Sequence, residues 1–449
     1  IKSNERILID DGKIELRVIS SSKNEVLTKI IRGGILLPRK GINFPESNIS
    51  VSSITEKDIE DLHFGLDNDV DWIALSFVRS EKDIKLLRKL IRERRKETRI
   101  IAKIEKPQAI KNIDKIIKSS DGLMVARGDL GVEMPMESVP IYQKKIVDKC
   151  NKAYKPVIIA TQMLESMVEQ KTPTRAESND VANAVLDGAD AVMLSAESAT
   201  GNYPIIAVKS MEKIISSVER STSEIYYNFE KNKYLRDRVN ESLITAACRL
   251  SKQINAKAIV SMTKSGFTAF RVSGNRPKAK IFIVTNNKNL GNIMNIVWGV
   301  RCIFYDKTEN IDLTLENIEN ILNEKQFDIV FSLSCVDWNV QFDEMLISAW
   351  GFVRPGGKLV ATFRLTTDEG RKDMRHSYQY INFDGIMEGE TANYVVLNVN
   401  EILQQLLDFN PLGISAYGYW GEPSETAVTP YKTICFSAFS IIKRETTND

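Results

Sequence analysis

The predicted fold depends on residues 100–135, which read IIAKIEKPQAIKNIDKIIKSSDGLMVARGDLGVEMP. Two short apolar runs, residues 100–102 and residues 123–126, are each short enough for a buried strand, and a helical segment lies between them. A strand–helix–strand order of this kind predicts two parallel strands in an α/β sheet. The residues that follow the two strands would then meet at one edge of that sheet.

Charged residues lie at these predicted strand ends. Lys103 and Glu105 are two positions apart, so in a strand they project from the same face. Arg127, Gly128 and Asp129 follow the second run, and parallel pairing would place Asp129 beside Glu105. Two close carboxylates repel each other unless a cation lies between them, and their hard oxygens suit Mg²⁺. The lysine could stabilise an oxyanion beside the metal, and Gly128 lets an anionic group approach the backbone amides.

An ordinary buried ion-pair cluster would contain the same charges. The surrounding motifs are more specific. They are SFVRS at residues 76–80, AKIEKPQAI at residues 102–110, DGLMVARGDLGVEMP at residues 121–135 and ATQMLESM at residues 160–167. With these motifs the sequence resembles the pyruvate kinases, from residue 1 to residue 324. In that family the lysine stabilises the enolate and the two acidic residues hold the divalent metal, which implies a catalytic Lys103 and a metal site at Glu105 and Asp129.

Further site residues are implied by the same resemblance. In the family, a threonine at the position of Thr161 hydrogen-bonds the substrate carboxylate and helps to place the proton donor. The catalytic residues would then be Lys103 and Thr161, and the substrate would contact both of them together with Gly128 and Asp129. A lysine at the return from the lid contacts the nucleotide in the family, which implies this role for Lys40. A solvated basic turn is the alternative for Lys40.

Other residues in the resembling segment are interpreted as structural. Ser195 lies near the family's site, whereas Glu197 is predicted to support the fold. Arg175, Glu177 and Asp180 are predicted to be helix-start and subunit-contact residues rather than catalysts.

A second candidate site lies in a predicted strand-to-helix turn. Its residues are Thr263, Lys264, Ser265, Gly266 and Thr268. Turns rich in hydroxyls and glycine bind phosphate through amides and hydroxyl groups. The turn resembles the effector loop of the pyruvate kinase C-terminal domain, which binds a sugar phosphate in regulated members. A helix N-cap is the alternative, because Ser and Thr are favoured at that position.

The fold class predicted for the chain is α/β, with a partial (β/α)₈ TIM barrel as its main part. Residues 1–45 alternate apolar and polar positions, which predicts a small antiparallel sheet or partial barrel. The resemblance implies that this segment is a partial β lid domain. Residues 46–218 alternate helical segments with short apolar runs, which predicts the partial barrel. The strands are predicted at residues 72–78, 99–105, 122–127, 156–161 and 191–195. The resemblance implies that three earlier barrel strands are absent and that residues 219–324 form the family's C-terminal α/β domain.

Residues 325–449 are predicted to come from a different family than residues 1–324. The C-terminal α/β part of the chain is therefore predicted to be of composite origin. FDIV at residues 327–330 and RPGG at residues 354–357 resemble the fourth and fifth strands of a class I S-adenosylmethionine-dependent methyltransferase. The glycine-rich loop that holds the cofactor in that family should come earlier, and the sequence contains no candidate for it. Asp337 and Trp338 would flank the cofactor site in an intact enzyme of that family.

Composition limits the classes of partner. The 449 residues contain 61 Lys and Arg against 59 Asp and Glu, and the net charge of +2 gives no reason to expect a nucleic-acid or membrane partner. No apolar run is long enough to span a bilayer, and no secretory leader is visible. The 5 cysteines are scattered without metal-ligand spacing, which favours reduced thiols in a cytoplasmic protein.

The resemblance implies pyruvate kinase activity, the phosphoryl transfer from phosphoenolpyruvate to ADP that gives pyruvate and ATP at the end of glycolysis. It implies Mg²⁺ or Mn²⁺ as cofactor and a homotetramer. It also implies a requirement for K⁺, whose ligands in the family come from the early strands that are absent here. Whether the chain itself is active is therefore left open by the sequence. One alternative is an Mg²⁺-dependent lyase or aldolase that acts on pyruvate enolate. The others are a fragment of an S-adenosylmethionine-dependent methyltransferase and a non-catalytic phosphometabolite-binding module.

Overall fold

The structure, a computed structural model, divides into two compact units, Ile1–Ile225 with Ile296–Trp298, and Tyr226–Asn295 with Gly299–Asp449. The residues that it describes are 1–10, 12–38, 40–47, 53–221, 226, 239–263, 265–304, 327–332, 342–371, 375–380, 391–423 and 427–445. No helix in these ranges is long and apolar enough to cross a membrane.

The first unit begins with a four-stranded antiparallel sheet in the order β3-β2-β1-β4. Its strands are β1 (Arg6–Ile9), β2 (Ile14–Ser21), β3 (Val26–Arg32) and β4 (Ile42–Asn43). Alternate apolar side chains, among them Ile7, Ile9, Ile14 and Val18, pack into one small core. The antiparallel sheet predicted for residues 1–45 is therefore confirmed.

A five-stranded parallel sheet follows, in the order β5-β6-β7-β8-β9. Its strands are β5 (Trp72–Leu75), β6 (Arg99–Ile104), β7 (Gly122–Ala126), β8 (Val157–Ala160) and β9 (Ala191–Met193). Each lies inside a predicted strand. Every residue of the central strand β7 is buried, because parallel sheets of this kind are covered on both faces. The parallel pairing on which the site prediction depends is confirmed.

Helices connect these strands. They are α1 (Glu56–Asp67), α2 (Glu81–Glu93), α3 (Pro107–Lys111), α4 (Ile113–Ser119), α5 (Arg127–Glu133), α6 (Val139–Lys152), α7 (Arg175–Asp187), α8 (Ala196–Ala199) and α9 (Pro204–Ser221), with 3₁₀ turns at Met136–Ser138 and Glu165–Val168. In α2, Ile84, Leu87 and Ile91 form the buried stripe that helical spacing predicts. Helix α9 continues past residue 218, because Met211 and the partly buried Ile214 and Ile215 pack against the core.

Helix α7 begins with a capping box that also holds the preceding loop. The Glu177 carboxylate accepts hydrogen bonds from the Thr174 backbone N–H at 2.7 Å and from the Ser166 N–H and hydroxyl at 2.6 Å each. Burial acts to raise the pKa of Glu177, but the hydrogen bonds from Ser166 and Thr174 together outweigh burial and lower that pKa below its ordinary 4.5. The helix-start role predicted for Glu177 is therefore confirmed.

We expect Glu177→Gln to lower the free energy of unfolding by about 1–2 kcal/mol at pH 7, because one acceptor becomes a donor that faces other donors. A lowered carboxyl pKa stabilises the fold above the unfolded-state pKa, and this contribution disappears as the pH falls through the folded-state value. The difference from the unmodified chain should therefore shrink below about pH 4.5. Urea unfolding at pH 7 and below pH 4 measures this difference in the free energy of unfolding. Glu169→Gln, at an exposed position, is the control. An equal difference at both pH values would contradict the prediction.

The second unit begins with a three-stranded parallel sheet in the order β10-β11-β12. Its elements are α10 (Val239–Gln253), β10 (Ala258–Met262), α11 (Phe267–Gly274), β11 (Lys280–Thr285), α12 (Lys288–Ile293) and β12 (Val300–Phe304), and a 3₁₀ turn at Met294–Ile296 follows α12. The α/β pattern predicted for this segment is confirmed.

The rest of the second unit contains one larger and one smaller sheet. The elements are β13 (Phe327–Ser332), α13 (Phe342–Gly351), β14 (Val353–Thr366), β15 (Tyr378–Tyr380), β16 (Thr391–Asn393), β17 (Leu397–Asn398), α14 (Val399–Asp408), β18 (Gly413–Gly421), β19 (Ala427–Val428) and β20 (Ile434–Ile442). The larger sheet has the order β13-β14-β20-β18, with β17 also paired to β14, and the smaller has the order β16-β15-β19. Strand β20 is antiparallel to both of its neighbours.

The strands predicted around FDIV and RPGG are present as β13 and β14, and they are parallel neighbours. RPGG is part of the second of these strands. It lies within β14 as an irregularity, because the register passes from Phe327 opposite Val353 to Ile329 opposite Lys358. Gly356 has φ +74°, which the missing Cβ permits. Asp337 and Trp338 lie outside the described residues.

Candidate active site

Lys103 and Glu105 meet at the carboxyl end of β6. The Lys103 Nζ lies 2.7 Å from Glu105 Oε1 and donates to Ser76 Oγ at 2.8 Å. The Glu105 side chain is 1% exposed and that of Lys103 is 25% exposed, so the carboxylate is buried and the lysine side chain is partly exposed. The pairing predicted from their spacing of two residues is confirmed.

The backbone after β5 supplies a second donor to the buried carboxylate. The Phe77 N–H donates to Glu105 Oε2 at 2.7 Å. Phe77 adopts φ +55°, a left-handed conformation that is unfavourable for a bulky residue, and its side chain is exposed, so apolar packing does not explain it. A buried carboxylate needs hydrogen-bond donors, and this conformation provides one. Glu105 is therefore held on both oxygens.

Gly128, Asp129 and Thr161 lie at the adjoining ends of β7 and β8. The Gly128 N–H donates to Thr161 Oγ1 at 2.7 Å, and the Thr161 hydroxyl donates to the Ala160 carbonyl at 2.6 Å. A Cβ at residue 128 would lie 3.3 Å from Thr161 Oγ1, so glycine permits this approach. The half-buried Asp129 belongs to the first turn of α5 rather than to a strand, so strand alternation does not set its direction.

Arg127 holds the loop that contains Thr161. Its guanidinium pairs with Asp180 of α7 at 2.7 Å and donates to the Thr161 carbonyl at 2.8 Å and to the Gln162 carbonyl at 3.1 Å. Thr161 and Gln162 have φ values of +70° and +54°, and two consecutive non-glycine residues in this region are strained. A planar guanidinium can contact the carboxylate and both carbonyls at once. Sequence reasoning missed this contact of Asp180.

Glu197 bridges the loops after β8 and β9. Its carboxylate accepts hydrogen bonds from the Leu164 N–H at 3.0 Å and from the Ser195 N–H at 2.7 Å, and its side chain is buried. These contacts agree with the structural role predicted for Glu197. Arg175 is the first residue of α7, which agrees with its predicted helix-start role.

Lys40 lies beside the antiparallel sheet and pairs with Asp10. Its Nζ is 2.9 Å from Asp10 Oδ1, and Lys13 Nζ is 3.2 Å from Oδ2 of the same carboxylate. The hydrogen bond from Lys40 is the main cause of the lowered pKa of Asp10. Lys40 therefore has an acidic partner in the structure, which the sequence analysis did not predict.

A further group of polar residues joins the antiparallel sheet to the site. Lys106 Nζ lies 2.5 Å from Glu133 Oε1, and Asn43 Nδ2 donates to the same oxygen at 2.8 Å. Sequence reasoning missed these three residues. A charged Glu133 among the apolar residues of VEMP and a lysine directly after Glu105 were the available signals.

In the second unit, the candidate effector loop connects β10 to α11, as predicted. The Gly266 N–H donates to Thr263 Oγ1 at 3.1 Å, and the Phe267 N–H donates to Ser265 Oγ at 3.4 Å. Gly266 has φ +81°, and a Cβ there would lie 2.8 Å from Leu290 Cδ1. Thr268 is buried in the first turn of α11, and Lys264 lies outside the described residues.

The Glu105 carboxylate fits a divalent cation that keeps other ligands. Within the described ranges, no group of three or more His, Cys, Asp or Glu side chains is arranged to hold a metal. Each oxygen of Glu105 has one close partner in the structure, the Lys103 ammonium or the Phe77 N–H, whereas a carboxylate has about four acceptor positions. Mg²⁺ is usually bound by one or two carboxylates, with waters and substrate phosphates as the remaining ligands. The acceptor positions left on Glu105 fit this mode of binding, and Asp129, in the first turn of α5, is the second carboxylate predicted for it.

Two family models match the chain. The model of the pyruvate kinase barrel domain matches residues 1–208. The model of the pyruvate kinase alpha/beta domain matches residues 241–374, so this match continues beyond residue 324, the predicted end of the resemblance.

Individual relatives point to the same family. Pyruvate kinase 2 of Synechocystis sp. is 44% identical over 329 residues, which are 73% of this chain and 55% of the relative. Pyruvate kinase of Agrobacterium vitis is 45% identical over 294 residues, 66% of this chain and 60% of the relative. The chain thus spans little more than half the length of these curated relatives. The crystal structure of a pyruvate kinase from Cryptosporidium parvum has a TM-score of 0.68 and 32% identity, covering 80% of this chain and 70% of that one. This chain belongs to the pyruvate kinase family.

Proposed function

We propose that this site catalyses phosphoryl transfer from phosphoenolpyruvate to ADP. The observation that carries the proposal is the contact of the partly exposed Lys103 side chain with the buried Glu105 carboxylate, held by Ser76 and the Phe77 N–H. Membership of the pyruvate kinase family supports the reaction, as do the relatives that are named pyruvate kinases.

Glu105 and Asp129 would hold Mg²⁺ or Mn²⁺. When bound, the ion would neutralise charge on the oxygens of the substrate. The protein's own contribution is to fix Glu105 through Lys103 and the Phe77 N–H, so that the carboxylate is in place before the substrate arrives. Asp129 is positioned by the first turn of α5.

Lys103 would act on the charge that develops during the reaction. The bond between phosphorus and the enol oxygen breaks, and a terminal phosphate oxygen of ADP forms the new bond to phosphorus. The electron pair stays on the enol oxygen, and the Lys103 ammonium offsets the resulting negative charge. Protonation of the methylene carbon of the enolate then gives pyruvate.

Thr161 and the adjoining amides would hold the substrate carboxylate. In the structure the Gly128 N–H donates to the Thr161 hydroxyl. A substrate carboxylate that accepted from the amides of Gly128 and Asp129 would replace the Thr161 hydroxyl as acceptor, and the hydroxyl would donate to the substrate by turning away from the Ala160 carbonyl, to which it donates in the structure. Thr161 could then orient both the carboxylate and the proton donor. Lys40 would bind a phosphate of the nucleotide in competition with Asp10.

The remaining assignments follow from the family. Residues 1–45 form a partial lid and residues 46–218 a partial barrel, and residues 219–324 form the family's α/β domain. The composite origin predicted for residues 325–449 would apply only beyond residue 374, where the match to the family's alpha/beta domain ends. Thr263, Lys264, Ser265, Gly266 and Thr268 would bind a sugar-phosphate effector. The protein would work in the cytoplasm as a homotetramer.

The proposal is tested by pyruvate formation in an assay coupled to lactate dehydrogenase. The purified chain is supplied with phosphoenolpyruvate, ADP, Mg²⁺ and K⁺, and each component is omitted in turn. Pyruvate that appears only in the complete mixture is the expected result. A folded chain that binds Mg²⁺ and forms no pyruvate would overturn the proposed activity of this chain.

Arg127→Met should lower kcat about tenfold, because the strained turn at Thr161 loses the group that holds its carbonyls. Arg127→Lys should recover only part of this loss, since an ammonium cannot contact Asp180 and both carbonyls together. Steady-state kinetics of the two variants provide the measurement. Arg94→Met, which removes an exposed arginine paired with Asp67, is the control. Unchanged kcat in Arg127→Met would rule out this role.

A further inference from the structure

Glu133 is a buried acid that contacts two other segments of the first unit. Its side chain is 2% exposed at the end of α5. Its Oε1 accepts from Lys106, directly after Glu105, and from Asn43 of β4. One buried carboxylate oxygen therefore joins the antiparallel sheet, the loop after β6 and the helix that begins with Gly128 and Asp129. Such a group is costly to bury unless its partners are in place.

Asn43 belongs to a segment, residues 40–43, that also contains Lys40 and is attached to strand β1. Strand β4 pairs with β1, and the Asp10 N–H at the end of β1 donates to the Gly41 carbonyl at 3.1 Å. Lys40 pairs with the Asp10 side chain at 2.9 Å. Residues 40–43 are thus attached to the end of β1, so that a movement of the antiparallel sheet carries Lys40 with it. The contact between Asn43 and Glu133 sets where this segment lies relative to α5.

Lys106 connects the same carboxylate to the other side of the site. Its Nζ lies 5.4 Å from the centroid of the Phe77 ring, within the range of a cation–π interaction. The Phe77 N–H in turn donates to Glu105. The ion pair of Lys106 with Glu133 therefore supports the strained backbone that holds Glu105.

We propose that Glu133 is a positioning residue that sets the distance between Lys40 and the carboxylates of Glu105 and Asp129. The inference rests on the proposed function, because that function assigns the nucleotide to Lys40 and the metal to the carboxylates. A link of this kind acts on nucleotide binding more than on phosphoenolpyruvate binding, since Lys40 lies on the antiparallel sheet.

Asn43→Ala should raise the dissociation constant of ADP about tenfold and leave that of phosphoenolpyruvate within about twofold. Glu133→Ala should have the same effect on ADP and also lower kcat, because Lys106 loses its partner. Glu133→Gln keeps an oxygen that can accept from Asn43 and Lys106, so it should bind ADP nearly as well as the unmodified chain. Calorimetric titration with ADP and with phosphoenolpyruvate, both in Mg²⁺, measures these effects.

Glu15→Gln is the matched control, because it removes a charge that pairs with Arg32 inside the antiparallel sheet and does not touch α5. It should leave both dissociation constants unchanged. Amide hydrogen exchange of residues 1–45 provides a second readout, and Asn43→Ala should accelerate it while the exchange of β6–β8 stays the same.

The outcomes separate the inference from the proposed function. An unmodified chain that binds ADP, with equal affinity in Asn43→Ala and Glu133→Ala, would overturn the inference and leave the proposed function standing. Equal weakening of ADP and phosphoenolpyruvate binding would also overturn it, since this is the result of a merely structural role. Failure of the unmodified chain to bind ADP would overturn both.

Discussion

Lys103→Met is expected to lower kcat for pyruvate formation on the order of 10³-fold while the protein still folds. Methionine keeps most of the apolar stem but removes the ammonium that contacts Glu105 and Ser76. The Lys103 side chain is 25% exposed, so water can take the place of the ammonium beside Glu105. Folding should therefore be affected much less than turnover.

The measurement combines steady-state kinetics with thermal unfolding. Lys115→Met, which changes an exposed lysine of α4, is the matched control and should retain full activity. The KM of phosphoenolpyruvate should change less than kcat, because the ammonium acts mainly on charge that appears in the transition state. A Lys103→Met variant with more than about a tenth of the original kcat would exclude the assigned role.

Glu105→Gln is expected to lower kcat by a similar factor and to weaken Mn²⁺ binding at least about tenfold. The substitution keeps the size of the side chain but removes its charge. It also places an NH₂ group against either the Lys103 ammonium or the Phe77 N–H, both of which are donors. Because the carboxylate is buried, we also expect the free energy of unfolding to fall by about 1–3 kcal/mol.

Mn²⁺ binding followed by electron paramagnetic resonance tests the metal assignment without requiring turnover. Glu97→Gln is the control, because Glu97 is exposed in the turn before β6. If Glu105→Gln bound Mn²⁺ as tightly as the unmodified chain, Glu105 would not be a metal ligand. Lost turnover with unchanged Mn²⁺ binding would then indicate that Glu105 acts on turnover through its ion pair with Lys103.

Local sequence patterns predicted most of the first unit. Strands β5–β9 follow from short apolar runs between helical segments, because a strand buried on both faces needs apolar residues at successive positions. The pairing of Lys103 with Glu105 follows from strand alternation, which requires only neighbouring residues. The turn before α11 was predicted from its hydroxyl residues in the same way.

Other features depend on contacts between segments that are distant in the chain. Arg127 meets Asp180 across 53 positions, and Asn43 meets Glu133 across 90. No local period predicts such partners, because the choice among many surface acids depends on how strands and helices pack. The irregularity at RPGG was missed for the same reason, since it depends on the register between β13 and β14.

The amino-acid sequence by itself determined the family, the parallel strands and the identity of the charged residues at their ends. These properties depend on residue type and on spacings of a few positions, which are visible along the chain. Only the tertiary structure decided how those residues are held: Glu105 by a strained Phe77, Thr161 by Arg127, and the antiparallel sheet by Glu133. A buried polar group must find its partners in three dimensions, and those partners come from elements that the fold, rather than the chain order, brings together.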